Sequence, residues 1–65
     1  MIHQDALADF NDAAELDPTN PEIYYNRGNV YLHQEEFQKA QKDFDTSIEL
    51  DNTNPKFYQA KGLCY

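Results

Sequence analysis

The sequence predicts an all-α fold of antiparallel helix pairs stacked side by side, and three observations lead to it. The chain repeats itself: moved by 34 residues, Met1–Tyr31 lies over Glu35–Tyr65. Gln4/Gln38, Ala6/Ala40, Asp9/Asp43, Phe10/Phe44, Glu15/Glu49, Leu16/Leu50, Asp17/Asp51, Thr19/Thr53, Asn20/Asn54, Pro21/Pro55, Tyr24/Tyr58, Gly28/Gly62 and Tyr31/Tyr65 are identical. Between the stops, apolar residues recur at helical spacing. The stop itself comes twice, as Asp17-Pro18-Thr19-Asn20-Pro21 and Asp51-Asn52-Thr53-Asn54-Pro55. A helical unit recurring at a period of this length is a repeat architecture.

The first helix is expected from about Gln4 to Leu16, with Ala6, Phe10, Ala13 and Ala14 on one face and Asp5, Asp9, Asp12 and Glu15 mostly off it. Pro18 ends it, Asn20 caps the next, and Pro21 suits a first helical turn whose amide has no partner to lose. The connection is short, so the two helices are antiparallel neighbours. The second helix, Pro21 to about His33, carries two stripes: Tyr24, Gly28 and Tyr31 on one, Ile23 and Val30 on the other. Such a helix has neighbours on two sides, as the interior of a stack requires. A third helix is expected from Phe37 to Leu50, its inner face reading Phe37, Ala40, Phe44, Ser47 and Ile48. Pro55–Tyr65 forms a fourth, with Phe57, Tyr58, Gly62 and Tyr65 echoing Ile23, Tyr24, Gly28 and Tyr31. The organisation is therefore one array over residues 1–65. Residues 1–20 hold the second helix of a unit, 21–54 a complete unit and 55–65 the first helix of the next.

These residues resemble the tetratricopeptide repeat, a 34-residue helix-turn-helix unit, and so imply a fragment of an α-solenoid. Tyr24, Gly28, Tyr31, Ala40, Phe44 and Ser47 stand at the large and small positions of its pattern, and Ala6, Phe10, Ala13, Pro18, Tyr58, Gly62 and Tyr65 match it in the half copies. The physical content of the pattern is size alternation: Gly28 and Ala40 let helix backbones approach while Tyr24, Tyr31 and Phe44 fill the space beside them. Two residues depart from it. Arg27 replaces a usual Leu and is expected to lay its stem on the core with its head in water. Glu35 replaces a Gly and loses the easy left-handed helix end, a cost of up to about 1 kcal/mol.

A chain of 65 residues supports a single thin core, and its single Cys excludes an internal disulfide. Twelve acidic against five basic residues give a formal charge of -7, which repels phosphate backbones and anionic lipid. No nucleic acid and no membrane partner is expected; the acidic excess is either a solvated surface or an attraction for a basic peptide. The N-terminal residues lack the character of a signal peptide, and the expected location is intracellular, in a reducing cytoplasm.

No catalytic residue, cofactor or metal is expected, so the chain reads as no enzyme. His3 and His33 fall on different helices without a nearby Cys. Asp51-Asn52-Thr53-Asn54 glances at a calcium loop, but Pro55, Lys56 and Gly62 stand where the loop needs an oxygen ligand, a Gly and a Glu. Gly28 and Gly62 are too far apart for a phosphate-cradling loop. Ser47 and Cys64 read as small core residues.

Function is expected on the face of the first helix of each pair, which lines the concave groove in the family that the chain resembles. That face is Glu22, Tyr25, Asn26, Asn29 and His33, echoed by Lys56, Gln59, Ala60 and Leu63. Asn bonds a peptide backbone, and Tyr buries area at little entropic cost. Some family members clamp a peptide's terminal carboxylates with Lys, Asn and Arg. Asn26 and Lys56 fit part of that set, while Ala60 stands where the Arg would be. The resemblance thus implies a non-catalytic protein-protein interaction scaffold binding a peptide or partner protein. The alternative is self-assembly into a homo-oligomer, through apolar ends at Phe10 and Ala13 on one side and Phe57, Tyr58 and Tyr65 on the other. An accessory segment of a larger enzyme would look the same.

Overall fold

A computed structural model describes the backbone of residues 2–63 and the side chains from Leu7 to Leu63. Four helices follow one another: α1 (Ile2–Leu16), α2 (Pro21–His33), α3 (Phe37–Leu50) and α4 (Pro55–Gly62). No strand occurs among the described residues. Helix α1 packs on α2, α2 on α3 and α3 on α4, and α2 also touches α4. The result is a slab of 32 × 27 × 14 Å, with α2 and α3 as its central pair.

Both Pro-containing connections are built alike. The Asn20 side chain accepts a hydrogen bond from the Glu22 amide at 3.0 Å, and Asn54 accepts from Lys56 at 3.0 Å. Each takes one of the donors that a helix start leaves unmet. The Tyr24 hydroxyl donates to the Pro18 carbonyl at 2.9 Å, and the Tyr58 hydroxyl to Asn52 at 3.2 Å. Pro18 and Asn52 are interchangeable here because only a backbone carbonyl is asked of them.

The turn between α2 and α3 is different. Glu35 adopts a φ of 61°, the left-handed conformation that costs a residue with a Cβ. The Glu35 amide bonds to Leu32 and the Glu36 amide to Tyr31, at 3.0 and 2.9 Å. These two bonds close a helix end of Schellman type without its usual glycine.

The core is narrow: Ala40, Phe44, Phe57 and Ala60 are its buried apolar side chains, with Tyr25, Tyr31 and Leu32 packed against it. Ser47, as expected, is a fully buried small residue, its hydroxyl shared between the carbonyls of Pro21 and Asp43 at 2.9 and 3.1 Å. A Cβ placed on Gly28 would lie 2.6 Å from Phe44 Cε1 and 2.9 Å from Cδ1. Gly28 thus makes room for an aromatic ring, rather than for the approach of two backbones.

Three expectations need correction. Phe37 is 45% exposed, since helical side chains lean toward the N-terminus and the first residue of α3 leans past the end of α2. Phe57, expected on an apolar end, is fully buried with its ring 5.3 Å from that of Tyr25. Arg27 stays partly exposed, but its head is not given to water alone: its guanidinium grips Asp43. Helix α1 begins two residues before the expected start, and α4 ends at Gly62; Cys64 and Tyr65 lie outside the described residues.

Candidate functional site

Successive side chains on a helix are about 100° apart, which puts Glu22, Tyr25, Asn26, Asn29 and His33 within one half of α2. Glu22, Asn26 and His33 are exposed, and Tyr25 and Asn29 half-buried. Lys56 and Gln59 repeat the face on α4 and Leu63 continues it just past the helix end, 69% exposed. What joins the two helices into one surface is an ion pair. Lys56 Nζ lies 2.9 Å from Glu22 Oε2 and 3.1 Å from Oε1. Glu22 and Lys56 are equivalent positions one period apart, so the faces of α2 and α4 run side by side in register. The hydrogen bond to Glu22 raises the Lys56 pKa above the ordinary lysine value.

Tyr25 forms the floor of this surface. Its ring stands 6.0 Å from Phe44 and 5.3 Å from Phe57, and Lys56 Nζ lies 4.9 Å from its centre. Tyr25 therefore ties this face to the core, and Asn29 and His33 follow it along α2. Lys56 is already matched by Glu22, and Ala60 is only 5% exposed, packed in the core. Ala60 thus belongs to the core cluster with Ala40 and Phe44. Among the described residues of this surface, Lys56 is the one cation, and a carboxylate clamp needs more than one.

On the far side of α2 lies a second feature that the sequence reading missed. Arg27 Nη2 and Nε bond the two oxygens of Asp43 at 2.7 and 2.9 Å, and Nη1 bonds Asn11 at 2.9 Å. Asp43 is 4% exposed. Its hydrogen bond to Arg27, partly offset by burial of the guanidinium, raises the Arg27 pKa above its ordinary value. One side chain thus ties α2 both to α3 and to α1. The signal was present in the sequence: an acid recurs at Asp9 and Asp43 on a stripe between small and aromatic core residues, and Arg27 is the cation that a buried acid demands. With Tyr31, Lys39 and Lys42, this pair lines an open cleft of about 250 Å³.

Of the residues placed on the open ends, Tyr58 is 50% exposed and Phe10 and Ala13 are half-buried. Tyr65 lies outside the described residues. Among the described residues, no three His, Cys, Asp or Glu side chains come together as a metal site would require, and no helix is long and apolar enough to cross a membrane.

Comparison with known proteins agrees with this architecture. A family model described as "Tetratricopeptide repeat" matches residues 21–54, and one described as "TPR repeat" matches residues 3–34. The human "Tetratricopeptide repeat protein 6" is 40% identical over 37 residues, which cover 57% of this chain. The match spans only 7% of that protein's length. No solved structure matches. The first of these family models covers more than half of the chain, over the same 34 residues that self-comparison marks as the complete unit. The chain therefore belongs to the tetratricopeptide repeat family, whose repeats generally mediate protein-protein interaction.

Proposed function

We propose that this chain is a non-catalytic interaction module that binds an extended segment of a partner protein along α2 and α4. The observation that carries the reading is the Glu22–Lys56 pair, which sets two equivalent faces side by side over an aromatic floor. Asn29 and Gln59 offer amide donors and acceptors to a peptide backbone. Leu63 and the edge of Tyr25 offer apolar contact. Asn26 lies exposed on the same face of α2, although its repeat equivalent Ala60 is buried. The acidic chain with a single Cys fits work in a reducing, intracellular compartment.

Titration of a pool of extended ten-residue peptides into isotope-labelled chain tests this by NMR. Shifts are expected at Asn29, His33, Gln59 and Leu63, and are expected to disappear in Leu63→Arg while the thermal melt stays unchanged. Peptides with amidated C-termini should bind as well as free acids, because Lys56 is already paired. Binding that perturbs only Arg27, Lys39 and Lys42 would move the site to the opposite cleft and overturn the assignment.

A second reading, association between copies, is favoured by one observation. Gly62 and Phe10 have the same residue types as the packed Gly28 and Phe44, yet Gly62 lies open and Phe10 is only half-buried.

A further inference from the structure

We propose that the cleft between α2 and α3, on the side of α2 away from Lys56, is a binding site for a compact dianion of the phosphate-monoester class. Its walls are Arg27 and Tyr31 on α2 and Lys39, Lys42 and Asp43 on α3. Three of the chain's five basic residues thus meet in one place, although twelve acidic residues give the chain a formal charge of -7. All five lining residues belong to the central pair of helices, so the site needs neither end of the chain. It is also independent of the peptide-binding face proposed above.

The ion pairs leave the charge of this cleft unmatched. Arg27, Lys56 and Lys61 each have a carboxylate oxygen close by, at 2.7, 2.9 and 2.7 Å. Lys39 reaches only Glu36, at 3.8 Å, and both of those side chains are well exposed, which makes the contact a weak one. Lys42 is exposed and has no acidic partner among the described residues. The two lysines left without a close acid are therefore the two in the cleft. Three residues apart on α3, they are surface neighbours, and an anion held between them relieves their repulsion. Asp43 does not oppose that anion, because Arg27 bonds both of its oxygens, at 2.7 and 2.9 Å, and the two form a neutral pair. Tyr31 stands beside the lysines, with Lys39 Nζ 5.7 Å from its ring centre.

Size and charge select the ligand. The cleft is open and of about 250 Å³, less than the roughly 300–1,000 Å³ that encloses a drug-sized molecule. Two ammonium groups suit a group with two negative charges, and a phosphate monoester carries about 1.5 to 2 at pH 7. An extended polyanion meets the acidic residues elsewhere on the chain and is repelled, whereas a compact one meets only the cleft.

NMR titration of the isotope-labelled chain at constant ionic strength tests this. The ligands are inorganic phosphate, a phosphoserine peptide, and the same peptide with aspartate in place of phosphoserine. Phosphate and the phosphopeptide should produce saturating shifts at Tyr31, Lys39 and Lys42 that chloride does not reproduce. The aspartate peptide should bind at least about tenfold more weakly than the phosphopeptide. Saturation should be lost in the double variant Lys39→Ala/Lys42→Ala and kept in Lys42→Arg, which preserves the charge. Lys56→Ala, on the other face, should leave the affinity unchanged. Both cleft lysines are exposed, so the double variant should melt as the parent chain does, which separates lost binding from lost folding. Tighter binding of the phosphopeptide than of inorganic phosphate would assign the dianion to a partner's modified side chain, and the reverse order to the free ion; either keeps the site. No saturating shift with either ligand, shifts that chloride reproduces, an aspartate peptide that binds as tightly, or saturation undiminished in the double variant would each overturn the proposal.

Discussion

Helices α2 and α4 begin with the same Asn-Pro pair and carry the same Tyr and Gly, but they are buried from opposite sides. In α4, Phe57 and Ala60 are enclosed while Gly62 is open; in α2, Ile23 is half-buried and Asn26 exposed while Gly28 is enclosed. Each helix thus shows the half of the environment that the other lacks. Laid over one another, they describe a helix with neighbours on both sides. The burial of a repeat position is set by the unit next to it as much as by the residue that occupies it, and this makes equivalent substitutions in the two copies unequal.

The largest inequality is expected between Phe44 and Phe10. Phe44→Ala removes a ring with no exposed surface, at a cost of about 3–5 kcal/mol. That is as much as a core of this size supplies, so the variant should show no cooperative melt by circular dichroism. Phe10→Ala uncovers a ring that is already partly wet, for about 1 kcal/mol, and should melt cooperatively at a lower temperature. Equal losses at the two positions would break the comparison.

Arg27 and Lys61 come next. Arg27→Leu restores the residue type that the family usually has, but it leaves the carboxylate of Asp43 buried without its partner. About 2–3 kcal/mol should be lost in urea denaturation. Adding Asp43→Leu should recover most of this, because an apolar pair of similar volume can replace a buried ion pair. Lys61→Leu breaks a pair whose side chains are 34% and 44% exposed, worth about 0–1 kcal/mol. No recovery in the Arg27 double variant would mean that the guanidinium stem, rather than the charge, holds α1 to α2.

The caps should show no inequality at all. Asn20 and Asn54 each bond the amide two residues on at 3.0 Å, so Asn20→Ala and Asn54→Ala should each cost about 1 kcal/mol. A larger loss at Asn20 would show that the cap shares the greater burial of the central pair.

The same distinction between local and neighbour-dependent features explains what the sequence made legible. Period, helix order and caps are fixed within a few residues and occur twice, so they could be read directly; the left-handed Glu35 could not, because its residue type argued against the conformation that it adopts. The tie from Arg27 to Asp43 spans sixteen positions and the cover over Phe57 comes from Tyr25 on another helix; both depend on how helices sit. The candidate binding face was legible only as a stripe of α2. That Lys56 is engaged by Glu22, and that Ala60 belongs to the core, required the relative placement of α2 and α4.

The smallest expected effect lies in the acid response of the second turn. Asp51 accepts hydrogen bonds from the Thr53 hydroxyl at 2.7 Å and the Thr53 amide at 3.2 Å. These hold its pKa below the ordinary Asp value, the hydroxyl contributing most. A carboxyl depressed in the folded state adds stability that is fully present above its unfolded pKa of about 4, and that is lost as pH falls through the lower folded value. The turn it braces leads into α4, which packs mainly on α3, whereas α2 is held by helices on both sides. Lowering the pH from about 6 to about 3 should therefore raise amide hydrogen exchange in residues 55–62 before residues 21–33. Asp51→Asn should remove part of that acid slope in α4 and leave α2 unchanged. If α2 and α4 instead exchange together at every pH, the four helices open as one unit, and the difference between the two copies is one of packing alone, without a separate local stability.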